Sequence, residues 1–253
     1  MKAPPKKKIW QELGSRLLVA ASLSGKEHLV DSARRAEKLG ADLIEIRVDT
    51  LKPKERANIA NILKSVKAAS SCPIIVTVRG AAEQCPGGLG GSGIKSDLSD
   101  HDRKSLYENC LPLADCVDVE IESQVLAHDV AALARKKGKK VILSYHDFSG
   151  IPTSEKVNEL LKVYSDLGGD ILKVAAMAKA PTDVIKIFEL CKSLNSTPRI
   201  FIAMGEVGGI SRASGFLYGS CMTYGYMNKP TAPGQISVEK LIGLCALFYP
   251  KKF

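Results

Sequence analysis

Along the chain, short runs of β-branched and aliphatic residues alternate with longer stretches in which apolar residues recur every three to four positions. The short runs lie at 16–22, 42–48, 73–78, 115–121, 140–146, 170–175, 199–204 and 215–219. Helical periodicity marks the intervening segments 26–39, 55–69, 124–137, 154–167 and 182–194. A half-buried strand repeats every two residues and an amphipathic helix every 3.6, so the two kinds of segment are distinguishable by period. Strand–helix alternation repeated eight times predicts an α/β fold, and a single closed (β/α)8 TIM barrel in preference to an open sheet. Nothing in 16–253 reads as a linker between two domains, whereas 1–15 reads as a basic N-terminal tail.

Within the predicted strands, alternation also assigns faces. Ile44, Ile46 and Val48 oppose Glu45 and Arg47; Val117, Val119 and Ile121 oppose Asp118 and Glu120. Likewise Val76 and Val78 oppose Thr77 and Arg79, Val141 and Leu143 oppose Ser144 and His146, and Leu172 and Val174 oppose Lys173. The outer face of a barrel packs against helices and must be apolar. Glu45, Arg47, Arg79, Asp118, Glu120, His146 and Lys173 are therefore expected to point inward. Buried ions cost several kcal/mol each unless paired or solvated, and most barrel interiors are filled with Val, Ile and Leu. So many inward charges predict an active site.

Composition narrows the class of function. The length of 253 residues suits one barrel, and 45% hydrophobic with 6% aromatic residues suits an aliphatic core. No apolar run approaches the ~20 residues of a membrane helix, and no signal-peptide pattern follows the basic start, so a soluble cytoplasmic protein is expected, with no membrane partner. Seven cysteines without a C-x-x-C pair predict reduced, buried thiols. The net charge of +9 owes much to Lys2, Lys6, Lys7, Lys8, Lys251 and Lys252 at the ends and to the basic cluster at 135–140. It suits an anionic small substrate, and no basic stripe with interleaved aromatics points to nucleic acid. No metal-ligand spacing such as H-E-x-x-H occurs, so no metal is expected. The segment Gly88-Leu89-Gly90-Gly91-Ser92-Gly93 matches G-x-G-x-x-G, but it starts ten residues after Val78 and no apolar helix follows. It is expected to be a lid or an insertion; without a strand before it and a helix after it, the motif does not predict a dinucleotide site.

Two residues carry candidate chemistry. Lys173 stands among Ile171, Leu172, Val174 and Ala175, where confinement and neighbouring cations favour the neutral, nucleophilic amine. A structural pairing with Glu45 or Glu120 is the competing expectation. His146 ends the adjacent strand, where an imidazole can move protons beside an imine. His28, His101 and His128 read as surface residues. After the seventh strand, 204–212 sets a glycine-rich turn before Ser211-Arg212, a combination suited to an anion. The loop 231–235 follows the eighth strand.

Taken in order, Glu45-Ile46-Arg47-Val48-Asp49, Tyr145-His146-Asp147-Phe148, Lys173-Val174-Ala175, Gly209-Ile210-Ser211-Arg212 and Ala232-Pro233-Gly234-Gln235-Ile236-Ser237 resemble the type I 3-dehydroquinate dehydratases from about Leu17 onward. The resemblance implies a hydro-lyase of the shikimate pathway that converts 3-dehydroquinate to 3-dehydroshikimate through a lysine imine, with no cofactor. It implies that Lys173 forms the imine, His146 is acid and base, and Glu83 assists the histidine. It further implies that Arg212 binds the carboxylate, that Glu45 and Arg47 bind ring hydroxyls, and that Arg79, Met204, Thr231 and Gln235 shape the pocket. A homodimer is implied too. Three positions depart from the family pattern: Glu83 is followed by Gln84-Cys85-Pro86 where two glycines are usual, Thr231 replaces Ser, and Tyr224 replaces Phe. A class I aldolase shares the imine lysine and is the enzymatic alternative; a non-catalytic barrel serving as a binding protein is the other.

Overall fold

The structure, a computed structural model, describes residues 9–80, 98–194 and 196–249. Eight parallel strands run in chain order: β1 (Leu18–Leu23), β2 (Leu43–Arg47), β3 (Ile74–Thr77), β4 (Cys116–Glu120), β5 (Lys140–Asp147), β6 (Ile171–Met177), β7 (Arg199–Met204) and β8 (Met222–Tyr226). They pair in the order β7-β6-β5-β4-β3-β2-β1-β8, and the two-residue β9 (Ile236–Ser237) adds to β8. Between β7 and β8 the ring closes through a bridge from Arg199 to Ser220 and the bond from Cys221 N–H to the Arg199 carbonyl, 2.8 Å. This is the predicted barrel.

The helices wrap the outside. They are α1 (Leu29–Leu39), α2 (Pro53–Ala57), α3 (Ile59–Ala69), α4 (Asp100–Cys110), α5 (Gln124–Lys136), α6 (Ser154–Leu167), α7 (Pro181–Ser193), α8 (Gly209–Ser214) and α9 (Val238–Phe248). Side-chain oxygens of Ser99, Thr153 and Ser237 accept the N–H three residues on, satisfying donors that α4, α6 and α9 would otherwise leave unpaired. The stretch 55–69, read from sequence as one helix, is two, because Asn58 leaves helical geometry between α2 and α3.

One strand lies elsewhere than the sequence predicted. Residues 215–219 form a single 3-10 turn, Gly215–Tyr218, that continues from α8 and is terminated by Gly219 at φ 102°. The aromatic run there mimics a strand, but a positive φ is a left-handed geometry that only glycine enters freely. The true β8 starts three residues later and pairs with β1 from Leu18↔Met222 to Ser22↔Tyr226.

The alternation assigned from sequence separates two cores. Ile44, Ile46, Ile74, Val76, Val117, Val119, Val141, Leu143, Leu172 and Val174 face outward and pack beneath the helices. Leu18, Ala20, Leu43, Ile75, Cys116, Ile142, Ile171 and Ile200 point inward and form an apolar floor in the N-terminal half of the barrel. From the N-terminal segment Ile9 joins this floor, with Trp10 and Leu13 packed against it.

Candidate active site

Two residues further along the same strands, the interior changes character. Ile75 is followed by Thr77 and Arg79, Cys116 by Asp118 and Glu120, Ile142 by Ser144 and His146, and Ile171 by Lys173. Period two keeps these side chains on the inner face, so the charged layer sits directly above the floor.

Lys173 is 6% exposed, and its Nζ donates to Asp118 Oδ2 at 2.7 Å. Beneath it lies Tyr224, with the ammonium 4.3 Å from the ring centroid, a cation–π contact. Asp118 is fully buried and also accepts from Arg79 Nη2 at 3.0 Å and Ser144 Oγ at 2.6 Å. Burial alone would lift this carboxyl, but the charges of Arg79 and Lys173 hold it well below the ordinary range. Lys173 thus pairs with Asp118, not with Glu45 or Glu120. Glu120 serves Arg103 instead, and stands 3.5 Å from Arg79.

His146 sits one register step beyond Ser144 on β5, alongside Ala175 of β6. Desolvation, then the charges of Arg79 and Lys173, push its pKa well below 6.5. The imidazole is therefore neutral at neutral pH, the form that can act as a base. His28, His101 and His128 are exposed, as expected.

A second line of polar contacts joins the loop after β8 to the barrel wall. Gln235 Oε1 accepts from Thr231 N–H (2.7 Å) and Thr231 Oγ1 (3.0 Å). Thr231 Oγ1 is 3.3 Å from Ser22 Oγ, which donates to Glu45 Oε2 at 2.5 Å, while Thr77 Oγ1 donates to Glu45 Oε1 at 2.8 Å. Arg47 lies at the rim and forms a two-point pair with Asp49, Nε–Oδ1 3.0 Å and Nη2–Oδ2 2.8 Å. Burial works against the Arg47 charge, but Asp49 overcomes it and raises the pKa.

Arg212 differs from these. It is 3% exposed, yet its hydrogen bonds among the described residues all go to backbone carbonyls: Gly234 (3.1 Å), Tyr224 (3.4 Å) and Pro233 (3.4 Å). Desolvation lowers its pKa to about 10. A buried cation with no carboxylate partner among the described residues is suited to an anionic ligand. Gly234, at φ 68°, packs so closely against Gly205 that a Cβ there would stand 2.0 Å from the Gly205 carbonyl oxygen. Met204, buried at the end of β7, completes this side of the mouth.

The structure thus brings together Lys173, His146, Arg79, Glu45, Thr231 and Gln235, with Arg47 and Met204 at the rim and Arg212 joined through Tyr224. Glu83, Cys85 and the glycine-rich loop 87–93 lie outside the described residues. Sequence reasoning placed Thr77 on the inner face without giving it a role, and it missed Ser22 and Arg103. The two hydroxyls sat at positions of correct inward parity, which was the available signal. Arg103, on an outer helix, had none.

The family model for type I 3-dehydroquinase matches residues 19–251. The chain belongs to that family. A 3-dehydroquinate dehydratase of Hydrogenobaculum sp. (strain Y04AAS1) is 34% identical over 210 residues, covering 83% of this chain and 89% of the relative. The crystal structure of the 3-dehydroquinate dehydratase from Aquifex aeolicus VF5 superposes with a TM-score of 0.76 at 30% identity, over 93% of this chain and all of that one. The type I 3-dehydroquinate dehydratase from Clostridium difficile, solved with covalently modified comenic acid, gives a TM-score of 0.82 at 26% identity over 93% of each chain. Type I members share the (β/α)8 barrel found here.

Proposed function

We propose that the chain is the hydro-lyase that converts 3-dehydroquinate to 3-dehydroshikimate, a step of the shikimate pathway. The observation that carries the reading is a buried lysine, held by Asp118 at 2.7 Å, with a neutral histidine on the neighbouring strand. The Lys173 amine attacks the substrate ketone, two of its three ammonium protons pass to the ketone oxygen, which departs as water, and a protonated imine remains. His146 then takes a proton from the adjacent carbon, and the electron pair moves into an enamine. The enamine expels the hydroxyl one carbon further on, and His146 returns its proton to that hydroxyl, which leaves as water. Hydrolysis of the imine consumes one water, frees the enone and restores the amine, so the net change is loss of one water.

The imine nitrogen is the electron sink, so the scheme calls on no external cofactor. Arg212 binds the substrate carboxylate, Glu45 and Arg47 the ring hydroxyls, and Arg79, Met204, Thr231 and Gln235 fix the ring in the mouth. Glu83 assists His146. The chain works as a cytoplasmic homodimer; exposed Ile210, Leu217, Leu247 and Phe248 support self-association, and sedimentation tests it. Among the described residues no helix is long and apolar enough to cross a membrane.

The direct assay is the ultraviolet rise of the conjugated enone from 3-dehydroquinate. Purified protein that yields the enone supports the reading. Carbon–carbon cleavage products without enone would make it an aldolase.

A further inference from the structure

Arg103 is a buried arginine on an outer helix, and none of the chemistry above uses it. Only 2% of it is exposed, although α4 is largely polar. Its guanidinium is spent on three elements at once. Nε donates to the Val78 carbonyl just beyond β3 (3.0 Å). Nη1 donates to Asp100 (2.8 Å) and to Ser123 Oγ ahead of α5 (3.2 Å), and Nη2 pairs with Glu120 Oε2. The other Glu120 oxygen accepts Gly80 N–H at 2.6 Å and faces Arg79 Nη1 at 3.5 Å.

The result is a chain of alternating charge running from the outer helix to the reactive amine: Arg103, Glu120, Arg79, Asp118, Lys173. Each link is a contact of the folded protein. Without Arg103, the buried Glu120 carboxylate has Arg79 as its nearest cation. A buried unpaired charge is strongly unfavourable, so Arg79 is drawn toward Glu120 and away from Asp118 and Ser144. That leaves Asp118, and with it Lys173, in a different field.

We propose that Arg103 is a positioning residue for Arg79, acting through Glu120. The inference rests on the dehydratase reading of the same site. Arg103 holds Glu120 neutralised so that Arg79 stays on Asp118, beside Lys173 and His146.

The test is a double-mutant cycle on kcat/KM with 3-dehydroquinate, using the full chain. Coupled neighbours typically differ by a few-fold to about a hundredfold. Arg103→Met is expected to cost about ten- to a hundredfold in the wild-type background but less than about twofold in an Arg79→Lys background. Arg103→Lys keeps the charge and is expected to recover most of the loss. Should Arg103→Met fail to fold, Arg103→Met with Glu120→Gln removes both charges together and is expected to stay within about tenfold of wild type. An equal loss from Arg103→Met in both backgrounds, or a folded double variant more impaired than that, overturns the proposal. A wild-type protein that yields no enone overturns the dehydratase reading instead, and the two failures are distinguishable.

Discussion

The floor and the mouth of this barrel are built from the same strands, two residues apart, and obey opposite rules. In the floor, Leu18, Leu43, Ile75, Ile142, Ile171 and Ile200 fill the interior with aliphatic volume. In the mouth, Glu45, Arg79, Asp118, Glu120, Ser144 and Lys173 occupy equivalent inward positions, all buried. Burying an aliphatic side chain contributes roughly 1.5–3 kcal/mol. Burying a charge costs several unless it is paired. The floor therefore supplies stability that the mouth draws on, and Tyr224 is the boundary, with floor residues against it and the Lys173 ammonium over its face. Within the mouth, the exceptions to pairing are informative. Asp118 is paired with both Lys173 and Arg79, whereas among the described residues Arg212 bonds only to carbonyls. The paired group holds shape, and under the proposed function Arg212 is the cation left for the substrate carboxylate.

Substitutions that separate the two regions test this division. The largest effect is expected from His146→Ala, which should cost about 10²- to 10⁴-fold in turnover while imine trapping persists; normal turnover would contradict the acid–base role. The depressed pKa sets a pH signature as well. Above pH 6.5 the folded and unfolded chains both hold His146 neutral, so it contributes no pH dependence there. As pH falls below 6.5 the unfolded chain takes up a proton that the folded chain refuses, and stability declines. The acid limb of kcat/KM for the free enzyme should likewise fall well below 6.5.

Arg212→Met comes next. Charge-assisted hydrogen bonds contribute about 1.5–3 kcal/mol each, so losing two should reduce kcat/KM about a hundredfold or more. The ligand-free melting temperature should hold or rise, because a desolvated cation with no carboxylate partner among the described residues is gone. A destabilised variant with normal kcat/KM would make Arg212 a structural residue. Ile75→Ala, in the floor, reverses the pattern: a loss of about 2–5 kcal/mol in unfolding free energy with kcat/KM of the folded protein within about twofold. The smallest change is expected at the boundary. Tyr224→Phe keeps the ring and removes a buried hydroxyl with no hydrogen-bond partner among the described residues; activity should stay within about threefold and stability should hold or improve. Tyr224→Leu, without the ring face, should lose more activity than Tyr224→Phe, and equal losses would remove the cation–π contact from the account.

Much of this was legible in the chain. Period-two alternation alone sent Glu45, Arg79, Asp118, Glu120, His146 and Lys173 inward, because a strand's geometry fixes side-chain direction irrespective of partners. Residues 215–219 misled, since aromatic β-formers between two glycines satisfy a local pattern that the true β8, rich in Met, Thr and Tyr, satisfies less plainly. What could not be read was pairing across the barrel. Nothing local tells that Lys173 meets Asp118, 55 residues away, or that Arg103 reaches over the strand ends from an outer helix. Such contacts depend on how eight strands close, a property of the whole ring.

The central claim is that Lys173 is the imine-forming amine, and borohydride reduction in the presence of 3-dehydroquinate tests it most directly. Intact-mass and peptide mass spectrometry should find one covalent adduct, on Lys173, absent from Lys173→Ala. Folded protein that gives no adduct, or an adduct on another lysine, would contradict the account.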